Sequence, residues 1–96
     1  MNKKEIAAFF DRMAPEWDAN MIKSDEKINF ILDAAGVKEN SVVLDVACGT
    51  GVMFPYYLAR GAERVIGVDI SAQMARIAAS KMHDQSCLLY TSDAAD

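Results

Sequence analysis

Apolar residues recur at Ile6, Phe9, Phe10 and Met13, the i, i+3, i+4, i+7 spacing of one helical face. The pattern predicts a helix over 2–13, with Phe9, Phe10 and Met13 turned into a core. Asn2 and Glu5 have the spacing of a capping box, with Asn in place of Ser or Thr. Pro15 is expected to end the helix, because a residue before proline is driven out of the helical region. A polar stretch containing Trp17 follows. A second helix is predicted from Ser24-Asp25-Glu26, whose acids suit a helix N-terminus. Its face is Ile28, Ile31, Leu32 and Ala35, and Gly36 is a natural stop.

Beyond residue 40 the period changes. Ser41-Val42-Val43-Leu44-Asp45-Val46 is a short apolar run rich in β-branched residues, expected to be a strand buried on both faces. Cys48-Gly49-Thr50-Gly51 reads as a tight turn. Residues 52–60 return to a helical pattern, with Pro55 confined to the first turn and Gly61 as the stop. Arg64-Val65-Ile66-Gly67-Val68-Asp69 is a second buried strand. Ser71 then caps a further helix with Met74, Ile77, Ala78 and Met82 inward. Strand, helix, strand, helix is a βαβα unit with parallel pairing and a right-handed crossover. The fold class is therefore α/β: the N-terminal part of a Rossmann-like, doubly wound parallel sheet, preceded by two helices.

Composition narrows the function. Ten basic residues against 14 acidic ones give a net charge of −4, which argues against a chain built for the phosphates of DNA or RNA. Hydrophobic residues are 52% and charged residues 25%, a globular balance. No apolar run reaches the roughly 18–20 residues of a membrane span. The N-terminus lacks the apolar core of an export signal, so the cytoplasm is the expected location. Cys48 and Cys87 have neither the number for a disulfide framework nor metal-ligand spacing. His83 reads as a surface residue, and the six methionines as adaptable core packing.

Two stretches carry chemistry. In Asp45-Val46-Ala47-Cys48-Gly49-Thr50-Gly51 a carboxylate ends a buried strand and a turn of small residues opens a helix. Ala47, Gly49 and Gly51 allow close approach of a ligand, and a helix start leaves N–H groups for an anion. Asp69 ends the next strand, 18 residues after Gly51. An acid at that offset can accept hydrogen bonds from ribose hydroxyls. A dinucleotide site would want a third glycine where Phe54 stands, and Asp45 would lie unfavourably close to a pyrophosphate. A ligand with a ribose, a carboxylate and an ammonium group fits better, and S-adenosylmethionine has all three. Cys48 reads as a small turn residue, with no histidine near it in sequence to activate a thiol.

Val43 to Gly51 resembles the first motif of class I S-adenosylmethionine-dependent methyltransferases, with Ala47 where the family often has glycine. Val65-Ile66-Gly67-Val68-Asp69-Ile70-Ser71 resembles their second motif. Phe9-Phe10-Asp11-Arg12-Met13-Ala14-Pro15-Glu16-Trp17-Asp18 is similar to the N-terminal signature of small-molecule members, including the ubiquinone/menaquinone-biosynthesis type. The resemblance spans residues 5–82. It implies that Asp45, Ala47, Cys48, Gly49 and Gly51 line the methionine end of the cofactor. It further implies that Asp69 holds the ribose, Ile70 packs on the adenine and Met74 sits near the adenosine. Phe10 and Trp17 would close over the cofactor or the substrate. The partner implied is a small-molecule methyl acceptor, with no nucleic acid and no membrane span. No catalytic base or oligomeric state is indicated. A nucleotide-binding module without methyl transfer, or an NAD-binding domain, is the alternative.

Three segments follow. Residues 1–40 form an N-terminal helical lid region, and 41–86 an incomplete cofactor-binding βαβα unit with two strands. Residues 87–96, Cys-Leu-Leu-Tyr-Thr-Ser-Asp-Ala-Ala-Asp, coincide in one reading frame with the translation of a transposase adapter used for sequencing libraries. They are expected to be a non-native tail on an inactive fragment; the other reading is a short strand, Cys87 to Thr91, with an acidic end.

Overall fold

The computed structural model describes residues 2–81, and residues 87–91 by their backbone. Helix α1 runs Lys3–Trp17 and α2 runs Asp25–Ala35. Strand β1 is Val42–Val46, α3 is Phe54–Ala59, β2 is Arg64–Asp69 and α4 is Ala72–Lys81. Strand β3, Cys87–Thr91, closes the order. The sheet is parallel with order β1-β2-β3, and Asp45 lies opposite Gly67. Parallel neighbours joined through helices are the α/β architecture the periodicities predict.

The caps explain the helix boundaries. Asn2 Oδ1 accepts the Glu5 N–H at 2.8 Å, and Ser24 Oγ accepts that of Lys27 at 3.3 Å. Each satisfies a donor that the first helical turn leaves without a partner. Gly36 ends α2 in the left-handed region at φ 79°, where glycine escapes the clash of a Cβ. Ser71 Oγ accepts the Met74 N–H at 3.1 Å and starts α4 as predicted.

Pro15 does not end α1, which continues to Trp17. Proline removes only its own N–H, and here it lies in the last turn, where few bonds remain to be broken. Trp17 packs edge-on against Phe10, with ring centroids 6.0 Å apart, and that contact holds the extra turn.

The apolar face of α1 is also not core. Phe9 and Met13 are 41% and 42% exposed, Phe10 is half-buried, and the buried residue is Ala14. The helix packs against α4 and leaves Phe9 and Met13 open to solvent. On α2, Ile28 and Leu32 are buried, while Ile31 and Ala35 are exposed.

Strand β1 is not buried on both faces. Val43 and Asp45 turn toward the helices, whereas Val42, Leu44 and Val46 are 62%, 62% and 71% exposed. One face is covered because α2, α3 and α4 all feed one core: Ile28, Leu32, Phe54, Tyr57, Val65 and Ala78. Among the described residues the other face is open at β1, while Ile66 and Val68 of β2 are half-buried. The sheet has three strands where the sequence reading expects two. The run Leu88-Leu89-Tyr90 is apolar, and β2 offers a free edge whose N–H and C=O groups need partners. The inward placement of Met82, the surface position of His83, and residues 92–96 lie outside the described residues. No helix among the described residues is long and apolar enough to cross a membrane.

Candidate functional site

The C-terminal ends of β1 and β2 open beside each other, where an open α/β sheet binds ligands. A pocket of about 360 Å³ lies there, lined by Ala47 and Gly49 after β1 and by Asp69 and Ile70 at the end of β2. Met74 of α4 and Phe10 and Trp17 of α1 supply its apolar walls. Five predicted residues, Ala47, Gly49, Asp69, Ile70 and Met74, therefore meet in one cavity. The two α1 aromatics are placed across from them. This is why Phe10 is half-buried: it faces a cavity, not a core.

Asp69 is 7% exposed and fixed from two sides. Its Oδ2 accepts the Gly49 N–H at 2.7 Å, and its Oδ1 accepts the Ser71 N–H at 2.9 Å. An ionised carboxylate has about four lone-pair sites, so two such bonds leave acceptor capacity toward the pocket. The same bonds tie the β1 loop to the start of α4.

The glycines divide the work. Gly49, at φ 59°, has no heavy atom within 4 Å of where a Cβ would stand, so a ligand has room to approach its backbone. Gly51, at φ 78°, is crowded instead: a Cβ there would lie 3.1 Å from Ala78 Cβ and 3.1 Å from Phe54 Cδ2. Its close approach is to α3 and α4, and it borders a different cavity with Asp18, Lys23 and Lys81. Ala47 takes φ 61°, the left-handed conformation that glycine adopts freely.

Three loop amides are already bonded, contrary to the expectation of free N–H groups. Those of Cys48, Gly49 and Gly51 donate to the Val68 carbonyl, to Asp69 and to the Cys48 carbonyl. The turn bonds the end of the neighbouring strand β2 and closes on itself, which consumes these donors. Cys48 is 5% exposed, and its thiol donates weakly to the Gly49 carbonyl at 3.7 Å. Burial, with the nearby Asp69 and Asp45 charges, pushes that thiol up to about 12, so it stays protonated and is no nucleophile.

Asp45 is not among the residues that line this pocket. Its Oδ2 accepts the Tyr57 hydroxyl at 2.9 Å. Burial raises its carboxyl above the ordinary range, the Tyr57 bond opposes that, and the Asp69 charge adds to it.

Sequence reasoning missed the residues that fasten α1 over the site. Asp11 accepts the Ser71 hydroxyl and the Gln73 N–H, the latter at 3.2 Å. Asp18 accepts the Thr50 hydroxyl at 2.5 Å and pairs with Lys81, which also donates to the Thr50 carbonyl at 3.0 Å. Burial would raise the Asp18 carboxyl, but its bonds to Lys81 and Thr50 and the charges of Lys81 and Lys23 carry it below the usual range. Both acids lie in the N-terminal stretch that carries the resemblance, and the helical period alone gave them no partner. Among the described residues no group of three or more His, Cys, Asp or Glu is placed to hold a metal ion.

The family model for the methyltransferase domain matches residues 43–96, more than half of the chain. The chain belongs to the class I S-adenosylmethionine-dependent methyltransferases. It is 34% identical over 85 residues to malonyl-[acyl-carrier protein] O-methyltransferase of Pseudescherichia vulneris, covering 88% of this chain and 34% of that protein. It is 32% identical over 85 residues to demethylmenaquinone methyltransferase of Renibacterium salmoninarum, covering 83% of this chain and 35% of that one. The methyltransferase chain thus spans about a third of the length of these curated relatives. Magnesium protoporphyrin IX methyltransferase of Synechocystis PCC 6803, solved with bound S-adenosylhomocysteine, superposes with a TM-score of 0.73 at 20% identity. That fit covers 99% of this chain and 53% of the other, and it shows the shared fold. The cofactor of this methyltransferase is S-adenosylmethionine, and the open backbone at Gly49, the acceptor Asp69 and the apolar walls suit it.

Proposed function

We propose that the whole protein transfers a methyl group from S-adenosylmethionine to a small-molecule acceptor, and that this chain provides its cofactor grip. The observation that carries the reading is the pocket in which buried, doubly anchored Asp69 faces the aromatic wall of α1. In this reading Asp69 holds the ribose, Ile70 packs on the adenine and Met74 backs the adenosine. Ala47, Cys48, Gly49 and Gly51 shape the loop around the methionine end, and Asp45 faces its ammonium. Phe10 and Trp17 close over the ligand. Bound cofactor supplies an electrophilic methyl on a sulfonium. The chain's residues orient it and exclude water, and positioning alone accounts for a large share of such catalysis. The relatives' names support an acceptor such as an acyl carboxylate or a quinol, and the stretch from Phe9 to Asp18 supports the ubiquinone/menaquinone type.

Calorimetric titration of the whole protein with S-adenosylhomocysteine and with NAD tests the grip. Binding of the first and not the second is expected; the reverse overturns the reading. A radiolabelled methyl-transfer screen over small acids and quinols then separates an enzyme from a binding module. The 96-residue chain alone is expected to bind undetectably, because binding must also order what an incomplete sheet leaves loose. Micromolar binding by it overturns that part. We propose also that 87–96 is foreign to the gene; a genomic read carrying these codons in a continuing frame overturns that.

A further inference from the structure

We propose that Tyr57 is a positioning residue for the cofactor: its hydroxyl holds one carboxylate oxygen of Asp45, leaving the other aimed at the ligand's ammonium. The proposal rests on the reading of Asp45 given above and extends it to α3, an element that contributes nothing to the pocket lining.

The geometry is specific. The Tyr57 hydroxyl donates to Asp45 Oδ2 at 2.9 Å from within the core, where Tyr57 is 6% exposed and its ring packs beside Phe54 with centroids 6.2 Å apart. A ring held by the core cannot follow the carboxylate if it turns, so Asp45 is locked into one rotamer. The hydroxyl is spent in turn: burial and the Asp45 charge hold the phenol far above its ordinary range, so it remains a donor throughout working pH. Asp45 needs this support. Its surroundings are hostile to charge, through its own burial and the charge of Asp69 on β2. A hydrogen bond to the ionised form is the one local interaction that favours it. Without it Asp45 takes up a proton at higher pH and can no longer attract a cation.

The test is the pH profile of S-adenosylhomocysteine binding to the whole protein, wild type against Tyr57→Phe. Phenylalanine keeps the ring and the packing and deletes the donor. The acid limb of the profile is expected to move up by about one pH unit, the shift equivalent to losing one hydrogen bond to a charged group. Tyr56→Phe, whose hydroxyl bonds the exposed Asp25, should leave the limb in place. An unmoved limb in Tyr57→Phe overturns the proposal. In Asp45→Asn the acid limb should lose its Asp45 component, and adding Tyr57→Phe to it should then leave the limb in place; a further shift overturns the proposal. If the wild type binds no S-adenosylhomocysteine, the functional reading fails and the positioning role with it, and carbon NMR titration of the Asp45 carboxyl separately decides whether Tyr57 holds that carboxylate in its charged form. A midpoint higher in Tyr57→Phe than in wild type upholds it; equal midpoints overturn it.

Discussion

Asp69 has both carboxylate oxygens held by backbone N–H groups before any ligand arrives. Its orientation is set by the fold, so in the proposed reading a ribose would meet acceptors already in position. Asp69→Ala is expected to weaken S-adenosylhomocysteine binding by roughly 1–3 kcal/mol, the cost of losing hydrogen bonds to a charged group; unchanged calorimetric affinity contradicts the assignment. Ala47 shows the opposite economy. An L-residue in the left-handed region costs about 1–2 kcal/mol, and glycine's extra chain entropy returns about 0.5–1 kcal/mol of that. Ala47→Gly should therefore stabilise the fold by up to about 1 kcal/mol, seen as a higher Tm; a lower Tm means that the methyl group makes a contact that outweighs the strain. The two candidate acids were legible at this scale because Asp69 ends an apolar run, Asp45 interrupts one next to its end, and the runs lie at a nucleotide-site separation. Tyr57 was not. A tyrosine on a helix face looks like core in a sequence, and only the fold reveals which atom its hydroxyl meets.

At the scale of elements, the order of strands and helices was legible and their surroundings were not. Caps at Asn2, Ser24, Gly36 and Ser71 are local chemistry, written within a few residues of the boundary they set. The passage of α1 through Pro15 depends instead on Trp17 meeting Phe10, and the exposure of alternate β1 residues depends on which helices share a face. Gly51 forms a close joint between elements. A Cβ would meet α3 and α4 at once while φ stays at 78°. Gly51→Ala should destabilise the protein by about 1–3 kcal/mol, combining backbone strain with overpacking. Chemical denaturation measures this, and a loss under about 0.5 kcal/mol, the range of neutral surface changes, contradicts the close packing.

At the scale of the whole molecule, the row of Val42, Leu44 and Val46 is an apolar sheet face with no cover among the described residues. A face of this kind drives association in water. The isolated chain should self-associate, and Leu44→Lys should raise its monomer fraction while shifting stability by no more than about 0.5 kcal/mol. Size-exclusion chromatography with light scattering decides it; identical profiles mean that the row is not the adhesive surface.

The pairing of β1 with β2 sets Asp45 opposite Gly67, so that Asp69, two residues further on, shares its side of the sheet. Side chains alternate along a strand, and a slip of one residue between the two strands would send the two acids to opposite sides. No ligand could then engage both. If the cofactor engages both acids as proposed, a titration with its product doubles as a gauge of strand alignment: any variant that still binds through both acids has kept its strands in step, whatever else the substitution has loosened.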